Sequence, residues 1–307
     1  MKKHEWPELE FEKLKDTIAT VQMWTQIVGK IRLKKMPWIN HSWHVSLYVS
    51  PAGLTTAAIP YENGIFQIEF NFIDHELVIT TSEGGNEKIM LYPRTVASFY
   101  SEVFEKLQAL GINVAIHAKP NEVDPAIPFA QDNIHQSYDK EQINAFWKAL
   151  VKMEPVFKRF RATFTGKSSP VHFFWGGFDL TVSRFSGREA PKYEGAVPNI
   201  PLRVMQESYS HEVSSAGFWG GTPDFPQPVF YSYIYPTPAT FSQCEVKPKA
   251  AFFSNQLGEF LLPYEVVRSA DDPGETLMLF LQSTYEAAAK TANWDRQSLD
   301  FNFNPNR

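Results

Sequence analysis

The residues best suited to chemistry are concentrated between positions 169 and 235. The run Ser169-Pro170-Val171-His172-Phe173-Phe174-Trp175-Gly176-Gly177-Phe178-Asp179 contains a glycine pair that lets the backbone bulge or approach another group closely. Asp179, Thr181 and Ser183 alternate, so on a strand they share one face. Arg184 and Arg188 flank Phe185-Ser186-Gly187, and their planar donor forks suit a carboxylate or phosphate held through two hydrogen bonds. Downstream, His211 and Glu212 sit together in the Ser- and Gly-rich stretch Tyr209 to Gly221, where an imidazole and a carboxylate could act as general base or metal ligand. Adjacent residues on an extended chain point opposite ways, so both serve one site only if the backbone turns there. Tyr231, Tyr233 and Tyr235 fall on one strand face, a wall of rings with hydroxyl tips that suits a ring or an apolar chain.

Other motifs carry less. Thr165-Gly166-Lys167-Ser168 resembles the end of a phosphate-binding loop, but Arg161 stands where the pattern needs glycine and Pro170 blocks the helix that must follow. His41 and His44 read as ordinary hydrogen-bonded histidines, with His44 on the polar face of a strand. No His-Glu-x-x-His spacing occurs, so no metal ligand and no cofactor is assigned.

These residues need elements to position them. Leu14, Ile18, Val21, Trp24 and Val28 recur at helical spacing, predicting a surface helix from near Glu8 to Gly29. Trp43 to Ser50 alternates as a half-buried strand, Phe66 to Phe72 repeats the pattern, and Leu77–Thr81 with Lys88–Tyr92 flank a hairpin turn. A helix with Thr95 as N-cap, the stripe Val96, Phe99, Val103 and Leu107, and Gly111 as its stop follows. In the second half, Asp139 and Gln142 start a helix that Pro155 is expected to break or kink. Strands at Phe178–Ser183 and Val229–Tyr235, a hairpin at Ala251–Leu262, and a last helix behind Asp272, Pro273 and Glu275 complete it. Residues 184–229 read as long loops that would form a site or lid. The expected class is α+β, with mostly antiparallel sheets packed by helices. Two similar α-β-β-β-β-α halves suggest an internal duplication: a first unit at 1–120, a linker at 121–138, and a second unit at 139–307 carrying the site.

Composition narrows the function classes. The 307 residues are 43% hydrophobic and 21% charged, which fits a folded chain and excludes a disordered or collagen-like one. Acidic residues outnumber basic ones, 34 to 29, against a nucleic acid or an anionic membrane as the main partner. The single cysteine, Cys244, rules out an internal disulfide and fits a reducing compartment. The basic start Met1-Lys2-Lys3-His4 turns acidic with no apolar segment behind it, and no apolar run approaches the roughly 18 residues of a membrane span. The expectation is a cytoplasmic protein, its oligomeric state open.

Five segments carry a family resemblance: Trp24 to Lys30, His172 to Gly176, Arg184 to Arg188, Tyr209 to Val213, and Gly258 to Glu265. With them the chain, from Trp6 to Trp294, resembles a bacterial domain-of-unknown-function family, DUF5996, which has no established activity. The resemblance implies a bacterial cytoplasmic protein and assigns no residue a role.

Three function classes follow. The first is a small-molecule binder or enzyme-like protein in which His172, Asp179, His211 and Glu212 do proton chemistry, while His44, Arg184, Arg188, Tyr231 and Tyr233 hold an anionic or aromatic ligand. The second is a non-catalytic module that binds a protein or peptide through exposed aromatic loops at Phe218-Trp219 and Tyr231–Tyr235. The third is a divalent-metal-dependent hydrolase. The first is favoured because polar, Gly-flanked segments crowd beside aromatic ones in the second half.

Overall fold

The computed structural model describes residues 5–62 and 64–301; Met1 to His4, with the basic start, and residues 302–307 lie outside them. Helix α1 (Phe11–Lys35) runs well past Gly29. That glycine ends nothing: a Cβ there would stand 2.1 Å from Trp175 Nε1, so Gly29 is the gap into which the indole packs. The predicted strand from Trp43 is also shorter than its pattern. His44, Val45, Ser46 and Leu47 are all buried in succession, and the chain turns through Asn40–Ser42 with His41 and Ser42 left-handed at φ 58° and 57°. Only β1 (Tyr48–Val49) is strand.

The first sheet then builds from β2 (Gly53–Thr55), β3 (Ile59–Tyr61), β4 (Gly64–Asn71), β5 (Glu76–Thr81) and β6 (Asn86–Met90). It is antiparallel in the order β1-β2-β4-β5-β6, with β3 also on β4. Phe66, Ile68 and Phe70 are buried under helix α2 (Val96–Ala109), which Thr95 caps by accepting the Ser98 N–H at 3.2 Å. Trp24 of α1 stacks on Phe99 of α2 at 4.6 Å, closing this core.

Helix α3 (Lys140–Ala162) is capped by Asp139, which accepts from the Glu141 and Gln142 N–H groups at 2.9 and 3.0 Å. It continues through Pro155 without the expected break. The second sheet comprises β7 (His172–Phe174), β8 (Asp179–Glu189), β9 (His211–Trp219), β10 (Val229–Tyr235), β11 (Phe252–Ser254) and β12 (Glu259–Pro263), antiparallel in the order β11-β12-β10-β9-β8-β7. Residues 184–229, read as loops, thus contain half of β8, the short helix α4 (Leu202–Ser208) and the inner strand β9. Helices α5 (Tyr264–Arg268), α6 (Pro273–Thr291) and α7 (Arg296–Leu299) follow, with Asp272 capping α6 through the Glu275 N–H at 3.0 Å. Each sheet has six strands rather than four, and the class is α+β. No helix among the described residues is long and apolar enough to cross a membrane.

Strand alternation gives the second sheet two unlike faces. Phe173, Leu180, Val182, Ala216, Phe218, Phe230 and Ile234 are buried on one, in the core with α3 and α6. Asp179, Thr181, Ser183, Ser215, Tyr231 and Tyr233 occupy the other, polar, face. At its β7 edge this sheet meets the first half directly. Leu47 and Phe173 exchange two backbone hydrogen bonds of 2.8 Å, and the Trp175 indole donates to the Val45 carbonyl at 2.8 Å.

Candidate functional site

The polar face of the second sheet carries a concentration of ionisable groups around Asp179. Register sets Asp179 at the start of β8, with Thr181 of β8 opposite Gly217 of β9 and Gly217 opposite Tyr231 of β10. Gly217 lets the phenol lie flat across β9: a Cβ there would stand 2.3 Å from Tyr231 Oη. The Tyr231 hydroxyl donates to Asp179 Oδ2. Thr181 and Ser183 hydroxyls meet Ser215 Oγ at 3.2 and 2.9 Å, and Tyr233 shares a 3.1 Å hydrogen bond with Tyr209. Tyr209 stacks on Tyr193 at 4.9 Å, so the segment between β8 and β9 adds two further rings to the wall.

A second carboxyl comes from the expected linker. Glu122 has a left-handed φ of 59°, unusual for a residue with a side chain and held here by its N–H on the Pro198 carbonyl at 2.9 Å. Asn121 before it is clamped by Gln26 of α1, which donates to the Asn121 carbonyl at 2.9 Å and accepts its N–H at 2.7 Å. This aims Glu122 at the glycine pair. A Cβ on Gly176 would stand 1.9 Å from Glu122 Oε1, and one on Gly177 would meet Asp179 Oδ1 at 2.9 Å and Glu122 Oε2 at 3.6 Å. Gly176 and Gly177 are therefore the floor on which the two carboxyls converge. Glu259, opening β12, is a third acid on this face.

Burial sets the electrostatics. It pushes the Asp179 carboxyl up to about 6, the Tyr231 hydrogen bond pulling back against it. Glu122 and Glu259 are each pushed up to about 7, first by surrounding protein and then by the negative charge of Asp179. Glu122 is exposed to solvent, which softens its share of this coupling. Among the described residues none of the three carboxyls forms an ion pair with a Lys, Arg or His. Carboxyls of this kind hold and release protons near neutral pH, the range in which general acid–base catalysis is most effective.

The expected site residues divide sharply. Asp179, Tyr231 and Tyr233 come together as described. Arg184 does not: an odd step from Asp179 along β8 sends it into the core, 1% exposed, over the rings of Phe160 at 3.5 Å and Tyr285 at 4.3 Å. It donates there to the Phe160 carbonyl and to Thr163 Oγ1. Glu212 faces away from His211 and pairs with Arg188 at 2.7 Å. Arg188 also donates to the Ala292 and Asn293 carbonyls at 2.6 and 3.2 Å, tying down the end of α6 rather than gripping a ligand. His211 stays on the polar face, but eight residues from the β9 partner of Asp179, about 26 Å along an extended strand. Its Nδ1 meets Ser210 Oγ at 3.1 Å and its ring edge approaches His41 at 6.3 Å. His172 is fully buried against Phe174, and burial pushes it down to about 3, so it is a neutral ring at pH 7. His44 is buried in the turn before β1, its Nδ1 3.2 Å from both the Ile39 nitrogen and the Ile39 carbonyl oxygen. Glu122 and Glu259 escaped the sequence reading, which offers no signal for either among 34 acidic residues.

Two open depressions lie elsewhere, of about 610 Å³ around Asp16, Thr17 and Asp139 and about 520 Å³ around Cys244 and Phe252. Neither holds a converging set of acids or bases. Phe218, expected in an exposed aromatic loop, is fully buried, and Trp219 is half-buried and stacked on Phe225. Among the described residues no three His, Cys, Asp or Glu side chains are placed to share a metal ion. A model of the family of unknown function DUF5996 matches residues 6–301. No curated protein and no solved structure matches the chain.

Proposed function

The chain belongs to DUF5996, a family of unknown function, so the role must come from the site itself, and we propose that the polar face of the second sheet binds a small ring-bearing molecule. In this reading Asp179 and Glu122 exchange protons with the ligand, while Tyr231, Tyr233 and Tyr209 pack against it. The convergence of Asp179 and Glu122 on the Gly176-Gly177 floor carries the reading. A carboxyl pair is expensive to crowd together, and neither carboxyl has a cation beside it among the described residues to offset that cost.

The same charges revise the expected ligand. With Arg184 and Arg188 engaged elsewhere and the Lys30 ammonium turned onto Asn121 Oδ1 and the Trp175 ring, an anion would meet carboxyls and neutral hydroxyls, so the ligand is uncharged or cationic. Tyrosine faces favour a cation or a ring with polar edges for the same reason. The test is equilibrium binding followed by intrinsic fluorescence, using aromatic amines, monosaccharides and aromatic carboxylic acids in parallel. Amines or sugars should bind the native protein and bind at least tenfold more weakly to Asp179→Asn and Glu122→Gln. Preferred binding of the carboxylic acids, or affinities untouched by both substitutions, would overturn the reading.

A further inference from the structure

A different set of polar groups is buried where α1 meets the turn before β1 and strand β7. Arg32 of α1 is 5% exposed, and His44 and His172 are both fully buried. Arg32 Nη1, His44 Nε2 and both ring nitrogens of His172 have no hydrogen-bond partner. Arg32 links the two histidines: its Nε donates to the His44 carbonyl at 2.7 Å, and the antiparallel Leu47–Phe173 bridge sets Tyr48, whose ring lies 5.3 Å from the guanidinium, beside His172. The positive charge of Arg32 acts on both imidazoles.

An anion selects the protonation in which all three side chains donate. His44 Nδ1 lies 3.2 Å from both the Ile39 nitrogen and the Ile39 carbonyl oxygen, so the backbone admits either tautomer, and the one with its proton on Nε2 makes that nitrogen a donor. His172 is neutral and so carries one N–H, and Arg32 Nη1 can only donate. A buried charge without a partner opposes folding, because the solvation it loses is not replaced. Arg32 forms no ion pair among the described residues. The group that supports its charge is Tyr48, whose ring lies 5.3 Å from the guanidinium. Glu207 approaches His44 but spends both carboxylate oxygens on the His41 N–H, at 2.8 and 3.0 Å.

We propose that Arg32, His44 and His172 form a binding site for a small monovalent inorganic anion of the size of chloride. One anion accepts from all three side chains and neutralises the single charge among them. A water molecule serves less well, because it brings no charge to set against the buried guanidinium. The Trp38 ring, 51% exposed and 4.6 Å from the His44 ring, separates the cluster from solvent. This site is separate from the carboxyl face and stands whether or not that face binds a ligand.

Bromide is the probe. Crystals of the native protein soaked in sodium bromide should show an anomalous peak within hydrogen-bond distance of Arg32 Nη1 and His44 Nε2. In solution, bromide and chloride should raise the melting temperature saturably over sodium gluconate at equal ionic strength, with the midpoint shifted at least tenfold in Arg32→Gln and in His172→Phe. If one variant does not fold, the other and the native crystals decide. Water alone at the site, or a bromide effect that persists unchanged in a folded variant, overturns the proposal.

Discussion

At Asp179 the physics can be read from one proton. Burial raises its carboxyl from the usual carboxylate range to about 6, so the folded chain binds that proton more tightly than the unfolded chain does. Linkage then fixes the sign: the group does not disfavour the fold below about pH 4, disfavours it increasingly between about 4 and 6, and holds a constant penalty above that. Glu122 and Glu259 extend the window to about 7. Asp179→Asn removes the charge and relaxes both neighbours, which its field pushes upward. Urea unfolding should find this variant more stable than the native protein at pH 8, by about 1–2 kcal/mol once partial solvent contact is allowed for, and indistinguishable from it at pH 4. The opposite trend would mean that the Tyr231 hydrogen bond outweighs the desolvation of Asp179.

At the scale of elements, Gly29 separates propensity from packing. Alanine in the middle of an ordinary helix gains about 1 kcal/mol over glycine. In α1 the added methyl would stand 2.1 Å from Trp175 Nε1, and the indole could yield only by giving up its hydrogen bond to Val45. Gly29→Ala should therefore destabilise the protein by about 1–3 kcal/mol in chemical denaturation, the typical range for overpacking. The same contest explains which elements could be read from the sequence. Thr95, Asp139 and Asp272 announce helices through local hydrogen bonds, and all three cap as their sequences predict. Strand β9 gave no such signal, because Ser214, Ser215, Ala216 and Gly217 are poor strand formers taken up between two better ones, β8 and β10. For the site, Asp179 and the tyrosines were legible from their alternation. Glu122 was not, since its position depends on Gln26 nearly a hundred residues away and on Pro198. Arg184 was misplaced for a simpler reason: its guanidinium finds ring faces in the core that local sequence cannot show.

Across the whole molecule, the site exists because the two sheets are joined. One continuous apolar cluster runs from Trp6 to Trp294 and includes residues of both sheets and all the long helices. Helix α1 bridges them, packing Trp24 on α2 while Gln22 donates to the Gly176 carbonyl at 2.5 Å and Gln26 clamps Asn121. The floor of the carboxyl site and the segment bearing Glu122 therefore hang from the same helix. A core shared in this way predicts a single cooperative transition, with secondary-structure and aromatic circular dichroism coinciding along a urea titration. Trp175→Phe makes the sharper test. It keeps a ring in the gap at Gly29 but removes the indole donor from the Val45 carbonyl, a buried acceptor left unpaired at a loss of about 1–3 kcal/mol. If the halves fold as one, both signals should move to lower urea by the same amount. A variant in which one signal moves and the other stays would break the single transition and count against a core shared by the two sheets.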